Sequence, residues 1–372
     1  MPERENKEYF YSLTSLRGLA SFWVAIGHLS WTVPSTGLLL FLPMLRHGYL
    51  AVDFFFILSG FVLAHAYKIH LMDNWVDYLK FCKARIVRIF PIHVFILTIF
   101  SILYFILSAQ NITLPGVYNF KALMAEFFLV QITPLFDPKY FFAWNYPTWT
   151  LVLEVWWFMV VVGLITLFSK YNKYTIVKNR RTWLGLVFGF MFILSGIVLY
   201  THSPSFIDTP NFYNSLVRSG LEFVAGLFLY NAFILKPFAL KKSHLTLAYT
   251  LLSVGIFMWF LKIPSFIIVA YWLILIPLIL IVSIQKGTLL YRILNHYTLV
   301  YLGNISYSLY LVHGPIERVI AVIYPKFQNT SFNPAFTYLI FIFTTLTLAT
   351  LSYKYIEKPL ILYFKEKRLN NI

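Results

Sequence analysis

Long apolar stretches alternate with short polar segments along the whole chain, and most of these stretches are about 20 residues long. A helix of about 20 apolar residues is long enough to cross the hydrocarbon core of a bilayer. The pattern therefore predicts an all-α polytopic membrane protein with about ten transmembrane helices. The predicted spans are 13–33, 48–68, 89–109, 148–168, 183–201, 215–235, 244–262, 264–284, 299–323 and 334–357.

One apolar stretch does not fit this alternation. Residues 122–136, with the sequence ALMAEFFLVQITPLF, are apolar but short. Counting them as a full span would place the basic segment 170–181 on the outer side of the membrane, against the distribution of positive charge. We therefore interpret 122–136 as a re-entrant or interfacial segment on the outer side. Residues 1–372 are predicted to form a single integral-membrane domain with no additional soluble domain.

Composition and charge agree with this class. The chain is 59% hydrophobic and 12% charged, which is too apolar for a soluble domain of 372 residues. With the N-terminus in the cytosol, most of the 30 Lys and Arg fall in segments predicted to face the cytosol. This asymmetry predicts an inner (plasma) membrane protein with both termini cytosolic, surrounded by lipid, and it explains the net charge without a nucleic-acid partner. The single cysteine, Cys82, excludes an internal disulfide.

Two ionisable residues lie within the first predicted span, in SLRGLASFWVAIGHLSW (15–31). Arg17 and His28 are 11 residues apart. That separation is three helical turns plus ~20°, so both residues lie on one face of the helix with a rise of ~16 Å between them. In the predicted orientation, Arg17 lies in the cytosolic part of the span and His28 in the outer third. The alternative is that Arg17 reaches the cytosolic headgroups and His28 is a hydrogen-bonded bundle residue.

Three carboxylates fall at the predicted depth of His28. Asp53, Glu154 and Glu222 each lie ~5–7 residues inside the outer end of a span, which places them in one slab roughly 8–10 Å below the outer surface. Ionisable residues within a membrane face the bundle interior or a wet cavity and are functional candidates. For Glu222 we favour a structural ion pair with Arg218, four residues earlier. For Asp53 and Glu154 we favour a functional role.

A basic cluster marks the predicted cytosolic side. The sequence KARIVRIFP (83–91) places Lys83, Arg85 and Arg88 at the entrance of the third span, near Arg17 in depth. These residues form either a collar that faces lipid headgroups or a mouth for a polyphosphate ligand, which arginine binds by bidentate hydrogen bonds. The spacing alone does not distinguish the two interpretations.

Six features in order resemble the signature of the membrane acyltransferase-3 family. The first is the spacing of Arg17 and His28. The others are GYLAVDFFFILSGFVLA (48–64), ARIVRIFP (84–91), PTWTLVLEVWWF (147–158), GNISYSLYLVHGPI (303–316) and SYKYIEKP (352–359). Each motif alone is weak, whereas six in the same order across nearly the whole chain are specific. One departure is Ala51, which stands where glycine is usual.

The resemblance implies an enzyme that carries an acyl group, often acetyl, from cytosolic acyl-CoA to a hydroxyl of a cell-envelope saccharide or a small molecule. O-antigen of lipopolysaccharide, capsule and exopolysaccharide all stay open as acceptors. By motif position, Arg17 and His28 are the essential pair. The other motif positions hold Asp53, Ser59, Arg85, Arg88, Glu154, Tyr307 and His313. Some relatives carry an extra esterase-like domain; we expect this chain to act alone or to hand the acyl group to a separate periplasmic partner.

The residue chemistry and the resemblance agree on a mechanism. Arg17 and the two arginines of the 84–91 motif are expected to hold the phosphates of CoA, so that its pantetheine arm brings the thioester ~16 Å deeper. His28 then takes the proton of the attacking hydroxyl and returns it to the leaving thiolate. Asp53 or Glu154, with Glu154 slightly favoured, would accept a hydrogen bond from the second ring nitrogen of His28.

Other mechanisms and classes stay open. A covalent relay would pass the acyl group to Ser59 or Tyr307 before it reaches the acceptor. A membrane transporter or flippase would use the same histidine and carboxylates to couple protons. No metal site is predicted, because the nine histidines form no i, i+4 pair within a span.

Overall fold

The computed structural model describes residues 10–33, 45–67, 74–114, 116–168, 180–201, 212–235, 240–261, 263–327 and 333–370. All regular secondary structure in these ranges is helical, as predicted. The helices are α1 (Tyr11–Thr32), α2 (Leu50–Tyr67), α3 (Trp75–Ala109), α4 (Phe120–Phe127), α5 (Trp149–Phe168), α6 (Arg180–Thr201), α7 (Phe212–Leu235), α8 (Lys242–Met258), α9 (Ser265–Ser283), α10 (Leu289–Leu294), α11 (Tyr297–Asn304), α12 (Ser306–Ile323), α13 (Pro334–Ser352) and α14 (Lys358–Asn370). Shorter elements are the 3-10 turns Pro138–Phe142, Tyr146–Thr148 and Tyr324–Phe327 and the π turn Tyr353–Glu357.

Within the described residues, six helices are long and apolar enough to cross a membrane. They are Trp75–Ala109, Tyr146–Leu167, Arg180–Thr201, Phe212–Leu235, Ser265–Ser283 and Pro334–Phe364. A shorter apolar helix covers Leu50–Ala66. The chain is therefore an all-α membrane protein. Each of the ten predicted spans overlaps at least one helix, but the number that crosses the bilayer stays a prediction.

Two predicted spans differ from the helices that the structure shows. The span 89–109 is only the second part of α3, which begins after Asn74 because the side chain of that residue accepts a hydrogen bond from the backbone N–H of Asp77. The polar first part of α3 escapes a search for apolar runs. The span 299–323 is interrupted at Ile305, where α11 ends and α12 begins.

The short apolar segment 122–136 does not form a spanning helix. It contains most of α4, whose eight residues rise only ~12 Å, and the chain then turns at Leu129, where φ is 54°. Nε2 of His93 on α3 donates a hydrogen bond to the carbonyl oxygen of Glu126 at 2.9 Å. This bond holds α4 against α3, and the re-entrant or interfacial position of the segment stays a prediction.

α1 and α11 approach each other closely at two glycines. A Cβ built at Gly18 would lie 2.5 Å from the backbone nitrogen of Gly303, and a Cβ at Gly303 would overlap the carbonyl oxygen of Thr14. Small residues of this kind let membrane helices pack backbone against backbone. The crossing brings Arg17 against the start of α12. An apolar core to which α1, α2, α3, α5, α7 and α12 contribute packs these helices together.

Candidate active site

A cavity of about 390 Å³ lies at the end of the bundle where α1 begins and α2 ends. This is the end that the charge pattern predicts to be cytosolic. The volume is within the range of small-molecule sites, roughly 300–1,000 Å³. Six of the nine residues predicted as site residues line the cavity: Arg17, Ser59, Arg85, Arg88, Glu154 and Tyr307.

Three arginines form the basic part of this cavity. Nε of Arg17 donates to the hydroxyl of Ser306, and its Nη2 donates to the carbonyl oxygen of Gly303, both at 2.9 Å. Arg85 is buried and Arg88 is half-buried, so neither is a fully exposed charge on a lipid-facing collar. Their common placement around one cavity favours the interpretation of the cluster as a mouth for a phosphate-bearing ligand.

Two hydroxyls named as relay candidates have different surroundings. The hydroxyl of Ser59 donates to Oε1 of Glu154 at 3.1 Å, and both residues line the cavity. The hydroxyl of Tyr307 donates to the backbone carbonyl of Ile89 at 2.7 Å. Ser59 thus faces a carboxylate, whereas Tyr307 is bonded to the backbone of α3 and fixes the packing of α12.

His28 and His313 form a hydrogen-bonded pair beyond the inner end of the cavity. Nδ1 of His28 lies 2.9 Å from Nε2 of His313, and the two rings are inclined by only 11°. Tyr310 lines the cavity, and its ring centroid is 5.5 Å from that of His313. His28 does not line the cavity in the described part of the chain. The ring of Tyr310 therefore connects the lining of the cavity to the histidine pair.

Each neutral imidazole has one N–H and one bare nitrogen. In a hydrogen bond between two neutral rings, one of the facing nitrogens therefore carries the proton and the other accepts it. The carbonyl oxygens of Leu309 and Tyr310 flank the other nitrogen of His313, although neither is aligned for a regular hydrogen bond. These acceptors favour an N–H at Nδ1 of His313 and a bare Nε2 that accepts from His28. Nε2 of His28 is then bare and able to take a proton.

Asp53 does not bond to His28. Its Oδ1 accepts a hydrogen bond from Nε of Arg218 at 2.6 Å, and the same Nε lies 3.4 Å from the carboxylate of Glu222. All three side chains are at least 98% buried, where α2 and α7 cross in backbone contact at Gly60. The ion pair predicted for Arg218 and Glu222 is confirmed, and Asp53 is part of the same network.

Glu154 does not bond to His28 either, because its carboxylate accepts from Ser59 in the cavity. The predicted carboxylate partner of His28 is therefore wrong, and His313 takes that place. The predicted depth of Asp53 and Glu154 does not specify how each helix is rotated about its own axis. In the structure, that rotation turns both carboxylates away from His28. Their contribution to catalysis stays a prediction.

The other side of His28 carries residues that the sequence analysis missed. Tyr146 packs edge to face against His28, with 4.9 Å between ring centroids. Thr32, four residues after His28, donates a hydrogen bond to the carboxylate of Glu317. A signal for Glu317 was present, because it follows His313 by four residues and so shares its face of α12. No comparable signal marks Tyr146.

A buried carboxylate holds Tyr146 in place. Glu126 accepts hydrogen bonds from the backbone N–H of Asn145 at 2.9 Å and from the hydroxyl of Thr148 at 3.1 Å. The side-chain amide of Asn145 donates to the carbonyl oxygen of Leu311 at 3.0 Å. Burial raises the pKa of Glu126 to about 7. The segment after α4 therefore positions an aromatic ring against His28.

The fold and the site define a class: an all-helical membrane protein with a basic cavity and, next to its lining, a histidine pair within the bundle. The model of a family described as an acyltransferase domain matches residues 10–354. The chain belongs to the membrane acyltransferase-3 family, which confirms the resemblance of its motifs.

Two curated relatives from Staphylococcus aureus are similar along almost the whole chain. The protein named "Putative O-acetyltransferase SACOL0978" (strain COL) is 25% identical over 372 residues, which cover 94% of this chain and 57% of that protein. O-acetyltransferase OatA (strain NCTC 8325 / PS 47) is 24% identical over 378 residues, which cover 95% of this chain and 57% of that protein. The chain thus spans little more than half the length of these relatives. No solved structure matches it.

Proposed function

We propose that this protein transfers an acyl group, acetyl in the simplest case, from cytosolic acyl-CoA to a hydroxyl of a cell-envelope saccharide. The membrane is the inner (plasma) membrane, with both termini in the cytosol. Family membership and the names of the relatives support O-acyl transfer. The observation that carries the proposal is the cavity at the predicted cytosolic end, which gathers three arginines and whose lining residue Tyr310 touches the histidine pair.

The residues that line the cavity support CoA as the donor. Arg17, Arg85 and Arg88 offer guanidinium groups for the phosphates, since arginine binds phosphate by paired hydrogen bonds. The pantetheine arm then runs past the Ser59–Glu154 pair, whose hydroxyl and carboxylate suit its amide groups. The rise of ~16 Å along α1 from Arg17 to the level of the histidines is comparable to the length of this arm.

The reaction requires the acyl end of the donor to pass Tyr310 and reach His28. Nε2 of His28 takes the proton from a saccharide hydroxyl, and the oxygen attacks the thioester carbonyl. The carbon–sulfur bond breaks, and His28 returns the proton to the CoA thiolate. His313 keeps the proton-accepting nitrogen of His28 free and stabilises the imidazolium that forms.

Calorimetric titration with a non-hydrolysable acetyl-CoA analogue tests the donor site in the detergent-purified full chain. Arg88→Gln should weaken binding roughly 10- to 150-fold, because a charge-assisted hydrogen bond contributes about 1.5–3 kcal/mol. Arg88→Lys should restore part of the loss. Arg17 is a poorer choice, because its bonds to α11 and α12 also hold the fold. The matched control is Lys83→Gln on the same helix, because Lys83 is exposed and, unlike the two arginines of its predicted cluster, is not among the residues that line the cavity.

His28→Ala separates binding from chemistry. The variant should bind the analogue nearly as well as the parent but release no CoA thiol from acetyl-CoA in the presence of a cell-envelope extract. Absence of binding in the parent, or equal binding by the parent and Arg88→Gln, would contradict the donor site. Uptake of acetyl-CoA into sealed vesicles without thiol release would favour the transporter or flippase.

A further inference from the structure

The side of His28 that faces away from the donor cavity presents an exposed indole. Trp31 follows His28 by three residues on α1, and their ring centroids are 5.1 Å apart. Trp31 is 54% exposed, whereas Tyr146, the other ring against His28, is 9% exposed. The indole of Trp31 is therefore both in contact with His28 and open to a ligand.

A cation lies next to this position. Cζ of Arg318 is 4.8 Å from the ring centroid of Tyr146, and Nη2 donates to the carbonyl oxygen of Phe142 at 3.1 Å. Nε of Arg318 has no hydrogen-bond partner among the described residues. Glu126 and Glu317 lie within electrostatic reach, but within the described ranges neither forms an ion pair with Arg318 at 4 Å or less.

Arg318 thus has an N–H group, at the buried Nε, that donates to no partner among the described residues. The residue lies close to the proton-accepting histidine. Arg318 is half-buried as a residue. Its guanidinium is held over the ring of Tyr146 and by the bond to Phe142, so little side-chain freedom is lost when a ligand binds. A planar guanidinium matches a carboxylate or phosphate through two parallel hydrogen bonds. An exposed aromatic face offers apolar area to the ring of a sugar.

We propose that Trp31, Tyr146 and Arg318 form the acceptor subsite, and that the acceptor is an anionic saccharide. Its sugar ring lies on Trp31, its acidic group is bound by Arg318, and one hydroxyl reaches Nε2 of His28. The inference rests on the proposed acyl transfer for the role of His28. It goes further by assigning the acceptor a negative charge.

Calorimetric titration with two tetrasaccharides tests the subsite in the full chain in a neutral detergent. The two have the same linkage and differ at C6: one is built of glucuronate and the other of glucose. The parent should bind the glucuronate form roughly 10- to 150-fold more tightly, the range of a charge-assisted hydrogen bond. Arg318→Gln should abolish this preference and Arg318→Lys should keep part of it. Trp31→Ala should weaken binding of both saccharides.

Lys139→Gln is the matched control, because Lys139 is exposed and paired with Asp137 at 2.9 Å. It should leave the preference unchanged. The subsite is overturned if the parent binds both saccharides equally or binds neither, or if Arg318→Gln keeps the preference. It is also overturned if phosphatidylglycerol added to the micelles abolishes the preference, since Arg318 would then hold a lipid headgroup. Titration with the acetyl-CoA analogue reports on the donor site separately, so failure of the proposed function is distinguishable.

Discussion

The hydrogen bond between His28 and His313 predicts different outcomes for two substitutions of His313. His313→Leu removes the acceptor but keeps an apolar group of similar size in a fully buried position. His313→Gln offers an amide oxygen that can accept from Nδ1 of His28. Both substitutions leave His28 itself and the lining of the donor cavity unchanged.

The expected magnitude follows from the 2.9 Å contact. When His28 takes the proton of the acceptor, this contact becomes a hydrogen bond to a charged ring, which contributes about 1.5–3 kcal/mol. Each 1.36 kcal/mol changes a rate about tenfold. His313→Leu should therefore lower turnover about 10- to 150-fold, and His313→Gln should lose clearly less. His28→Ala should lose more, about 10²–10⁴-fold, since the proton acceptor itself is gone.

Thiol release from acetyl-CoA, with a cell-envelope extract as the source of acceptor, measures turnover for each variant. Titration with the acetyl-CoA analogue must show unchanged donor binding, and thermal unfolding must show that each variant is folded. The predicted role of the hydrogen bond between the two histidines is refuted if folded His313→Leu turns over like the parent. It is equally refuted if leucine and glutamine cause the same loss, because the amide oxygen then restores nothing.

Three further predictions concern the framework around the site. Gly303→Ala should lower both the thermal midpoint and donor affinity, because its Cβ would overlap the backbone of α1, whereas Gly189→Ala has open space around it and should do neither. Asp53→Ala should destabilise the protein by about 3–5 kcal/mol in unfolding experiments, because it removes the close partner of buried Arg218; a loss of turnover at unchanged stability would contradict a structural role. Burial raises the pKa of Glu126 from 4.5 to about 7, so the folded chain holds this proton to a higher pH than the unfolded chain. The stability that the protonated group contributes is therefore full below pH 4.5 and is lost as the pH rises to about 7. The thermal midpoint of the parent should therefore fall more steeply from pH 5 to pH 8 than that of Glu126→Gln, and equal slopes would argue against this assignment.

The grouping of the donor residues could be predicted from the sequence. Arg17, Arg85 and Arg88 lie at one predicted depth, on the cytosolic side, and the structure places all three around one cavity. Hydropathy gives the position of a residue along the membrane normal, and residues at one level of a small bundle are near each other. The short length of the apolar segment 122–136 also predicted that it forms no spanning helix, and α4 has only eight residues.

The partner of His28 could not be predicted in this way. Asp53 and Glu154 share its predicted depth, but the first faces Arg218 on α7 and the second faces the cavity. Depth leaves open the rotation of each helix about its own axis. His313 was among the motif residues, yet nothing in the sequence indicated that it would meet His28.

The sequence by itself determined the all-helical membrane fold, the family and the residue types of the site, because apolar run length, charge placement and ordered motifs are local properties of the chain. The tertiary structure decided which of these residues touch. His28 and His313 are 285 positions apart, and their contact depends on how α1 packs against α11 and α12. That packing is set where Gly18 and Gly303 allow the backbones of α1 and α11 to meet. A contact between distant segments of this kind fixes the rotation of each helix about its axis, which no local sequence pattern predicts.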